Sequence, residues 1–368
     1  IGIPKEIKNN EKRVSLIPFG VESLINDNHK VYVETSAGEG SGFKDSHYEE
    51  VGATILKTSE DIFNQSDMIV KVKEPVGNEL NLIRSEQIVF TYFHFAANKE
   101  LTKKIIDSNS IAISYETVQS ESSDLPLLTP MSEIAGRMSV QSGAKYLEAS
   151  HGGKGVLLSG VPGVEPATVV IIGGGVVGMN AAKIAAGFGA IVHIFDLDSS
   201  RLRYLDDIMP SNVFTHHSNR HSILNILLKT DLLIGAVLVV GDKAPKVVTK
   251  KMISLMKEGS VIVDVAVDQG GCIETCRATT HEDPVYEVDG IIHYCVANMP
   301  GAVPATSTLA LSNATFPYIQ LLANNNLSPL LKKNKMLLKG LNIYKGSVVH
   351  PGVANAHELP YLDPLSVL

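Results

Sequence analysis

A glycine-rich turn near the middle of the chain restricts the possible folds more than any other feature. It reads Gly173-Gly174-Gly175-Val176-Val177-Gly178, follows the β-branched run TVVII and opens an apolar helical pattern. Gly173 suits a tight turn, Gly175 lets backbone amides approach a pyrophosphate, and Gly178 lets the helix pack closely on the strand. The N-terminus of such a helix offers unpaired N–H groups and the positive end of its dipole to phosphates. The turn therefore predicts a dinucleotide-binding α/β domain.

An acidic residue stands where such a domain binds the adenosine ribose. The next apolar strand pattern, IVHIF, ends at Asp196, eighteen residues after Gly178. A carboxylate there accepts hydrogen bonds from the ribose hydroxyls and repels the 2′-phosphate of NADP, so we expect NAD as the cofactor. Two nearby basic residues, Arg201 and Arg203, act in the opposite sense and leave this preference open. The plainer alternative is a structural glycine turn followed by an unrelated Asp.

Strand and helix patterns alternate along almost the whole chain, which is typical of parallel sheets with crossover helices. In the first third, β-branched runs predict strands at residues 1–3, 30–35, 68–72, 88–93 and 111–115. After a loop at 151–166, a second series predicts strands at residues 168–173, 191–196, 213–215, 231–237, 261–267 and 292–296. We therefore predict an α/β fold with two doubly wound, parallel-sheet, Rossmann-like domains flanking a cleft.

The segment 126–150 resembles a bridge between the two series. Two prolines in LPLLTPM precede a helical pattern in which Ser132 is a candidate N-cap and Glu133 stands in the first turn. Another long apolar helical pattern follows residue 304. Periodicity alone does not tell whether this last part returns to the first domain.

Composition and charge exclude several classes of partner. The 368 residues are 44% hydrophobic and carry 32 basic against 39 acidic side chains, a net charge of −7. Such a chain is too apolar for a disordered protein and lacks the positive charge that binds nucleic acid or anionic membranes. No apolar run reaches the roughly 18 residues of a membrane span. We expect a soluble, cytoplasmic protein without a signal peptide, and the lack of an initiator Met indicates that a residue or two before Ile1 is missing.

Four charged or titratable residues follow predicted strands or the loops after them. Lys73 follows DMIVKV, His94 follows IVFTYF, Asp268 closes VIVDVAV, and Arg13 lies in the loop after the first strand. Ligands of open α/β sheets bind outside the carboxyl ends of the strands. Arg and Lys suit a substrate carboxylate, and His and Asp suit proton transfer. Taken singly, each also has an ordinary interpretation as a solvated strand end, a core histidine, a turn cap or a surface charge.

The cysteines and a group of histidines are weaker candidates for a functional site. Cys272 and Cys276 are four residues apart with no second pair to complete a zinc site, and with Cys295 they are too few for a disulfide framework. They are expected to be buried thiols in a reducing compartment. His216, His217 and His221 have no carboxylate at ligand spacing, so we expect no metal. The chain contains neither a G-x-S-x-G elbow nor a P-loop Lys.

Nine blocks of sequence, spread over essentially the whole chain, match one known family. They read GIPKEIKNNEKRVSLIP, KVKEP, YETVQ, PMSEIAGR, GVPGVEPATVVIIGGGVVG, GAVLV with KAPKVV, VDQGGCIET and CVANMPGAVPATST. These blocks resemble alanine dehydrogenase, whose superfamily includes the NAD-binding component of proton-translocating transhydrogenase. The resemblance implies a reversible reaction in which L-alanine, NAD and water give pyruvate, ammonium and NADH. It also implies a cytoplasmic homo-oligomer, usually a hexamer.

The resemblance further implies a discontinuous substrate domain, residues 1–126 with 305–368, and an NAD-binding Rossmann domain, residues 127–304. Arg13 in NNEKRV and Lys73 in KVKEP would bind the substrate carboxylate. His94 in FHFAAN and Asp268 in VDQGG would be the catalytic pair, and the resemblance leaves open which one makes each proton transfer. The cofactor residues would be Ser132, Gly173, Gly175, Val177, Gly178, Asp196, Arg201, Ser218, Val237, Leu238, Val265, Ala266, Val267, Asp268, Arg277, Val296, Ala297, Asn298 and Met299.

Two other classes of protein share these glycine and acidic signals. The first is the transhydrogenase component, which passes hydride to a partner protein and has no need of a substrate-binding set such as Arg13, Lys73, His94 and Asp268. The second is an NAD-binding protein without catalysis, in which one of the four would be expected to be replaced. All four stand in the matching motifs, which favours the dehydrogenase.

Overall fold

The computed structural model describes residues 1–237 and 244–368, apart from the side chains of Asp268 and Gln269. Its contacts divide the chain into two compact units. The first unit comprises Ile1–Met131 with Gly301–Leu368, and the second unit comprises Ser132–Pro300. The domain boundaries expected from the sequence, after residues 126 and 304, lie within five residues of these limits.

Short strands alternate with helices throughout the described residues. The strands are β1 (Gly2–Ile3), β2 (Tyr32–Glu34), β3 (Thr54–Leu56), β4 (Met68–Val70), β5 (Ile88–Thr91), β6 (Ile111–Ser114), β7 (Thr168–Ile172), β8 (Ile191–Asp196), β9 (Val213–His217), β10 (Leu232–Gly235), β11 (Val261–Asp264), β12 (Val285–Val288), β13 (Ile291–Tyr294), β14 (Leu341–Tyr344) and β15 (Ser347–Val348).

The α-helices are α1 (Pro18–Asn26), α2 (Asp45–Glu50), α3 (Ser59–Gln65), α4 (Glu79–Leu82), α5 (Lys99–Asp107), α6 (Thr129–Tyr146), α7 (Val176–Gly187), α8 (Ser199–Ile208), α9 (Arg220–Leu227), α10 (Lys250–Ile253), α11 (Pro304–Asn324), α12 (Leu327–Lys333), α13 (Lys335–Gly340), α14 (Pro351–His357) and α15 (Pro364–Val367). Within the described ranges, no helix is both long enough and apolar enough to cross a membrane.

The first unit contains an eight-stranded sheet in the order β15-β14-β6-β5-β4-β1-β2-β3. Strands β1 to β6 are parallel, while β14 is antiparallel to β6 and β15 to β14. The chain segment after residue 304 therefore completes this sheet. It also supports the loop after β1, because the Thr308 hydroxyl accepts the amide of Val14 at 3.2 Å and lies 2.7 Å from the Ser41 hydroxyl.

The second unit contains a seven-stranded sheet in the order β12-β13-β11-β10-β7-β8-β9, in which only β12 is antiparallel among the described pairs. Successive residues of β7 face opposite sides of this sheet. Val169 and Ile171 pack in one apolar cluster, and Val170 and Ile172 pack in another. Burial on both faces explains why the sequence of β7 is continuously apolar instead of alternating.

The structure confirms the α/β class predicted from the sequence, with two mostly parallel sheets flanked by helices. Two local predictions are wrong. Strand β11 ends at Asp264, and Val265–Gln269 form a 3-10 helix, so Asp268 does not close the strand. The cause is the Asp264 carboxylate, which caps this turn by accepting the amide of Ala266 at 3.0 Å.

The second wrong prediction concerns the start of α6. Ser132 is not its N-cap, because the helix already begins at Thr129 and Ser132 lies within it. The carbonyl of Leu125 accepts the amides of Leu128 at 3.0 Å and Thr129 at 2.9 Å, which starts the helical turn earlier than the Ser132 side chain suggests.

Candidate functional site

The glycine turn of the second unit joins β7 to α7. Gly173 has a φ of 105°, in the left-handed region that favours glycine. A Cβ on Gly178 would lie 1.8 Å from the carbonyl oxygen of Gly173, so helix and strand could not approach as they do. A Cβ on Gly175 would meet nothing within 4 Å, which means that this residue faces open space.

Asp196, the last residue of β8, contacts this turn. Its Oδ2 accepts the amide of Gly174 at 2.6 Å, and its Oδ1 accepts the amide of Asp198 at 2.9 Å. Arg201 contacts the same turn, since its Nε donates to the carbonyl oxygen of Gly174 at 2.5 Å. Both side chains therefore lie beside the loop at which a dinucleotide would bind.

The residues of this turn fit a dinucleotide. The first-turn amides of the twelve-residue helix α7 have no carbonyl one turn earlier to bond, and the positive end of the helix dipole adds to their attraction for phosphate. The open space at Gly175 lets a phosphate reach those amides. The carboxylate of Asp196 is at the strand end where a ribose hydroxyl would donate to it.

Apart from Ser132, which lies within α6, the remaining cofactor positions lie in loops and short 3-10 turns of the second unit. Ser218 directly follows β9, and its amide donates to the Asp196 carbonyl at 2.8 Å. The guanidinium of Arg277 lies 4.2 Å from the centre of the Tyr286 ring. Asn298 has a φ of 59°. Val237 follows β10, and residues 265–267 lie in the 3-10 helix after β11. Val296 forms an isolated parallel β-bridge with Thr279. Ala297 and Met299 flank Asn298. Leu238 lies outside the described residues, and so does the side chain of Asp268.

In the first unit, Arg13 is a buried cation held by a buried carboxylate. Its side chain is 1% exposed and that of Glu11 is fully buried. Glu11 Oε1 accepts Nε at 2.7 Å, and Oε2 accepts Nη2 at 2.5 Å. Burial disfavours the charged guanidinium, but the bond and charge of Glu11 outweigh it and raise the pKa of Arg13. Nη1 lies 3.0 Å from the Met131 sulfur. The guanidinium is therefore fixed in orientation.

Lys73 lies in a bend after β4 that two glutamates hold. Glu6 Oε1 accepts the amides of Val72 at 2.6 Å and Lys73 at 3.4 Å. Lys71, with no exposed surface, donates to Glu79 at 2.7 Å and forms an ion pair with Glu6 at 3.3 Å. Burial raises the pKa of Glu6 to about 7, against the opposing effect of Lys71. The backbone that carries Lys73 is therefore tied to the loop after β1.

His94 follows β5 with φ 52° and ψ 42°, a left-handed conformation. Its amide donates to Oε1 of Glu116 at 2.7 Å, and its ring is parallel to that of Tyr92, with 5.9 Å between centroids. The residue is exposed, yet desolvation by the surrounding protein, together with the charges of Lys73 and Lys8, lowers the pKa of His94. The imidazole is therefore neutral at pH 7.

The structure brings Arg13, Lys73 and His94 to one edge of the first sheet. Hydrogen bonding between the backbones of β4 and β5 continues past the ends of these strands, because the amide of Tyr92 donates to the Val72 carbonyl at 3.3 Å. Sequence reasoning missed the carboxylates around these three residues, which are Glu6, Glu11, Glu79 and Glu116. Glu116 follows β6 as His94 follows β5, so a search for charged residues directly after predicted strands would have found it.

In each unit, part of the candidate site lies where the strand order reverses. In the first sheet the order reverses between β1 and β4; the loop that carries Arg13 follows β1, and Lys73 follows β4. In the second sheet it reverses between β7 and β10; the glycine turn follows β7, and Val237 follows β10. Open α/β sheets bind ligands at such points. The fold and the two sites thus define a nicotinamide dinucleotide-dependent oxidoreductase with a small-molecule substrate.

Comparison with known proteins gives the family. The family model described as the alanine dehydrogenase/PNT N-terminal domain matches residues 2–135, and the model of the C-terminal domain matches residues 139–351. The chain belongs to the alanine dehydrogenase/PNT family. The resemblance predicted from the sequence is thereby confirmed.

Individual relatives distinguish the two branches considered above. An alanine dehydrogenase of Methanococcus maripaludis is 56% identical over 98% of this chain and 97% of its own length. A solved L-alanine dehydrogenase superposes with a TM-score of 0.93 at 51% identity, covering 97% of this chain and 98% of that one. A transhydrogenase from Sinorhizobium meliloti covers 95% and 98%, with a TM-score of 0.79 and 26% identity. These values favour the alanine dehydrogenase over the transhydrogenase component.

Proposed function

We propose that this protein is an L-alanine dehydrogenase that converts L-alanine, NAD and water reversibly into pyruvate, ammonium and NADH. One observation carries the proposal beyond family membership. Arg13, Lys73 and His94 lie together at the strand ends of the first unit, where a transhydrogenase component would have no small substrate to bind. Two cations and a neutral imidazole suit an amino acid whose carboxylate is bound while its amine exchanges protons.

The substrate carboxylate would be bound by Arg13 and Lys73. Glu11 already fixes the orientation of the guanidinium, so little rotational freedom is lost when the substrate binds. Holding the carboxylate at two cations also fixes the position of Cα, the carbon that is oxidised. The Cα hydrogen would leave with its bonding pair as hydride to NAD and the amine would lose a proton, giving an imine. Water would then add to give a carbinolamine that releases ammonium and leaves pyruvate.

Proton transfer would be carried out by His94 with Asp268. The neutral imidazole of His94 has an unprotonated nitrogen, so it would accept a proton from the substrate ammonium or from the attacking water. Asp268 is proposed as its partner from the matching VDQGG motif. The steps require both uptake and release of protons on the way through the carbinolamine, so two groups are better suited than one.

The cofactor would be NAD, which supplies a hydride acceptor when bound. Gly173, Gly175, Val177 and Gly178 would bind its pyrophosphate, and Asp196 its adenosine ribose. Arg201 donates to the carbonyl of Gly174 and is thus already engaged by the turn, which supports NAD over NADP. The other proposed cofactor residues are Ser132, Ser218, Val237, Leu238, residues 265–268, Arg277 and residues 296–299.

The proposal extends to the whole protein. The first unit would be the substrate domain and the second the NAD-binding domain. As the resemblance implies, the protein would be a cytoplasmic homo-oligomer, a hexamer.

The test is NADH absorbance with purified protein, first with NAD and L-alanine and then with NADH, pyruvate and ammonium. We expect turnover in both directions, little or none with NADP, and none with lactate as the substrate. Tight NAD binding without turnover in either direction would contradict the proposal and favour a transhydrogenase component.

A further inference from the structure

His94 is held in its conformation by a residue that no sequence motif assigned. A left-handed backbone is rare for a residue with a side chain and persists only where its surroundings enforce it. At His94, φ is 52° and ψ is 42°. Oε1 of Glu116 accepts the amide of His94 at 2.7 Å, and Oε2 accepts the amide of Phe93 at 3.3 Å. One carboxylate thus binds two successive amides at the point where the chain turns.

The fold explains why Glu116 reaches these amides. Strands β5 and β6 are parallel, with Thr91 paired to Ser114, so the residues that follow them leave the same edge of the sheet. Glu116 lies in the 3-10 turn Tyr115–Thr117 directly after β6. The rings of Phe93 and Phe95, on either side of His94, are buried and stacked 4.4 Å apart. With its neighbours anchored in the core, the peptide at His94 is oriented by its bond to Glu116.

We propose that Glu116 is a positioning residue, whose carboxylate holds the amides of Phe93 and His94 so that the imidazole is presented to the substrate in one orientation. The inference rests on the proposed function, in which His94 exchanges a proton with the substrate. Glu116 would act through these two backbone amides and not by contact with a reacting group.

A carboxylate is required because both of its oxygens are acceptors. A glutamine of the same shape has one acceptor and an NH₂ group, which cannot accept the second amide. An aspartate keeps the charge but is one methylene shorter. Burial also disfavours the charge of Glu116 and raises its pKa to about 7, while the two amides act in the opposite sense.

The experiment compares Glu116→Gln with wild-type enzyme and with Glu121→Gln. Glu121 is a matched control because it lies five residues away with a side chain 82% exposed. We expect Glu116→Gln to lower kcat about 10- to 100-fold, as for a misplacement of about 1 Å at a reacting group. KM for pyruvate should change much less than kcat, because the substitution leaves the side chains of Arg13 and Lys73 in place and removes only the charge of Glu116 that acts on Lys73. NADH binding by fluorescence should be unchanged, and Glu121→Gln should behave as wild type.

A second comparison separates positioning from general stability. If Glu116 acts through His94, then Glu116→Gln should cause no further loss of kcat in a His94→Ala enzyme. A merely structural Glu116 would lower the melting temperature of Glu116→Gln but leave kcat per folded enzyme unchanged. If Glu116→Gln does not fold, Glu116→Asp takes its place, with the same loss of kcat expected.

The outcomes of the two proposals are distinguishable. Wild-type kcat in a folded Glu116→Gln or Glu116→Asp enzyme would overturn the positioning role and leave the proposed function intact. A further loss of kcat when Glu116→Gln is added to the His94→Ala enzyme, as large as its loss in the wild type, would do the same. No turnover by the wild-type enzyme would instead overturn the proposed function.

Discussion

At the scale of single residues, carboxylates organise the strand ends of the first unit. Glu11 holds the guanidinium of Arg13, Glu6 holds the amide of Lys73, and Glu116 holds the amide of His94. Each cation or imidazole proposed to meet the substrate is therefore oriented by an acid behind it. Charge-assisted bonds of this kind are stronger than neutral ones, so they suit groups that must keep one geometry.

The raised pKa of Glu116 predicts a pH dependence of stability. Burial raises this pKa from 4.5 to about 7 in the folded protein. Between these values the folded state binds more protons than the unfolded state, so the free energy of unfolding falls as pH rises. The stabilisation is present in full below about pH 4.5 and is lost as pH rises through about 7.

Denaturation by urea at a series of pH values across this window checks the prediction. Glu116→Gln removes the titrating group, so its free energy of unfolding should fall less steeply with pH than that of the wild type. Glu121→Gln should keep the wild-type slope, because its side chain is 82% exposed. Equal slopes in wild type and Glu116→Gln would show that Glu116 does not titrate in this window.

At the scale of elements, the close contact between α7 and β7 depends on one glycine. A Cβ on Gly178 would meet the Gly173 carbonyl at 1.8 Å, whereas a Cβ on Gly187, in the same helix, would meet nothing within 4 Å. The two positions therefore separate the packing requirement for glycine from its low helix propensity.

Alanine substitutions at these two positions should have opposite effects. Gly178→Ala forces helix and strand apart, and we expect a loss of stability of about 1–3 kcal/mol together with weaker NADH binding. Gly187→Ala only removes backbone freedom from the unfolded chain, and we expect a gain of about 0.5–1 kcal/mol with NADH binding unchanged. Thermal unfolding and NADH fluorescence titration measure both quantities. Tight NADH binding by Gly178→Ala would contradict the role assigned to the turn.

Local patterns predicted the elements whose signal lies within a few residues. The apolar run of β7 and the glycines after it are an example, since burial and backbone conformation both act locally there. Strands β3 and β12 escaped prediction because they are short and half-exposed, with no continuous apolar run. The end of β11 was misplaced because the cap from Asp264 depends on its side-chain bond to Ala266, which an apolar pattern does not reveal.

The site was predictable to the extent that it follows strand ends. Lys73 and His94 stand directly after apolar runs, so sheet topology alone places them at one edge. Glu6 and Glu11 lie in an irregular loop without periodicity, so nothing in their spacing indicates that they bind the Lys73 amide and Arg13. Their roles become visible only when the backbone of that loop is known.

At the scale of the whole molecule, the two units repeat one topology. Ignoring the added antiparallel strands, the first sheet runs β3-β2-β1-β4-β5-β6 and the second β9-β8-β7-β10-β11-β13. Each has a single reversal of strand order, and the glycine turn of one unit and Lys73 of the other follow strands that border it. One topology thus offers a glycine turn for a dinucleotide in one unit and a charged cluster for a small acid in the other.

The last part of the chain shows what periodicity cannot predict. Helix α11 reads as an apolar helix, but only its contacts assign it to the first unit, where Ser312 and Thr308 accept amides of the loop that carries Arg13. Strands β14 and β15 then extend the first sheet. These contacts join residues about 300 positions apart, a separation on which a local pattern carries no information.

Transfer of deuterium from the Cα of L-alanine to the nicotinamide would be direct evidence for the proposed reaction. L-alanine carrying deuterium at Cα is incubated with NAD and the purified protein, and the NADH formed is analysed by mass spectrometry. The proposed reaction predicts NADH that carries the deuterium, together with unlabelled NADH when ordinary L-alanine is used. NADH without deuterium, or no NADH from L-alanine at all, would contradict it.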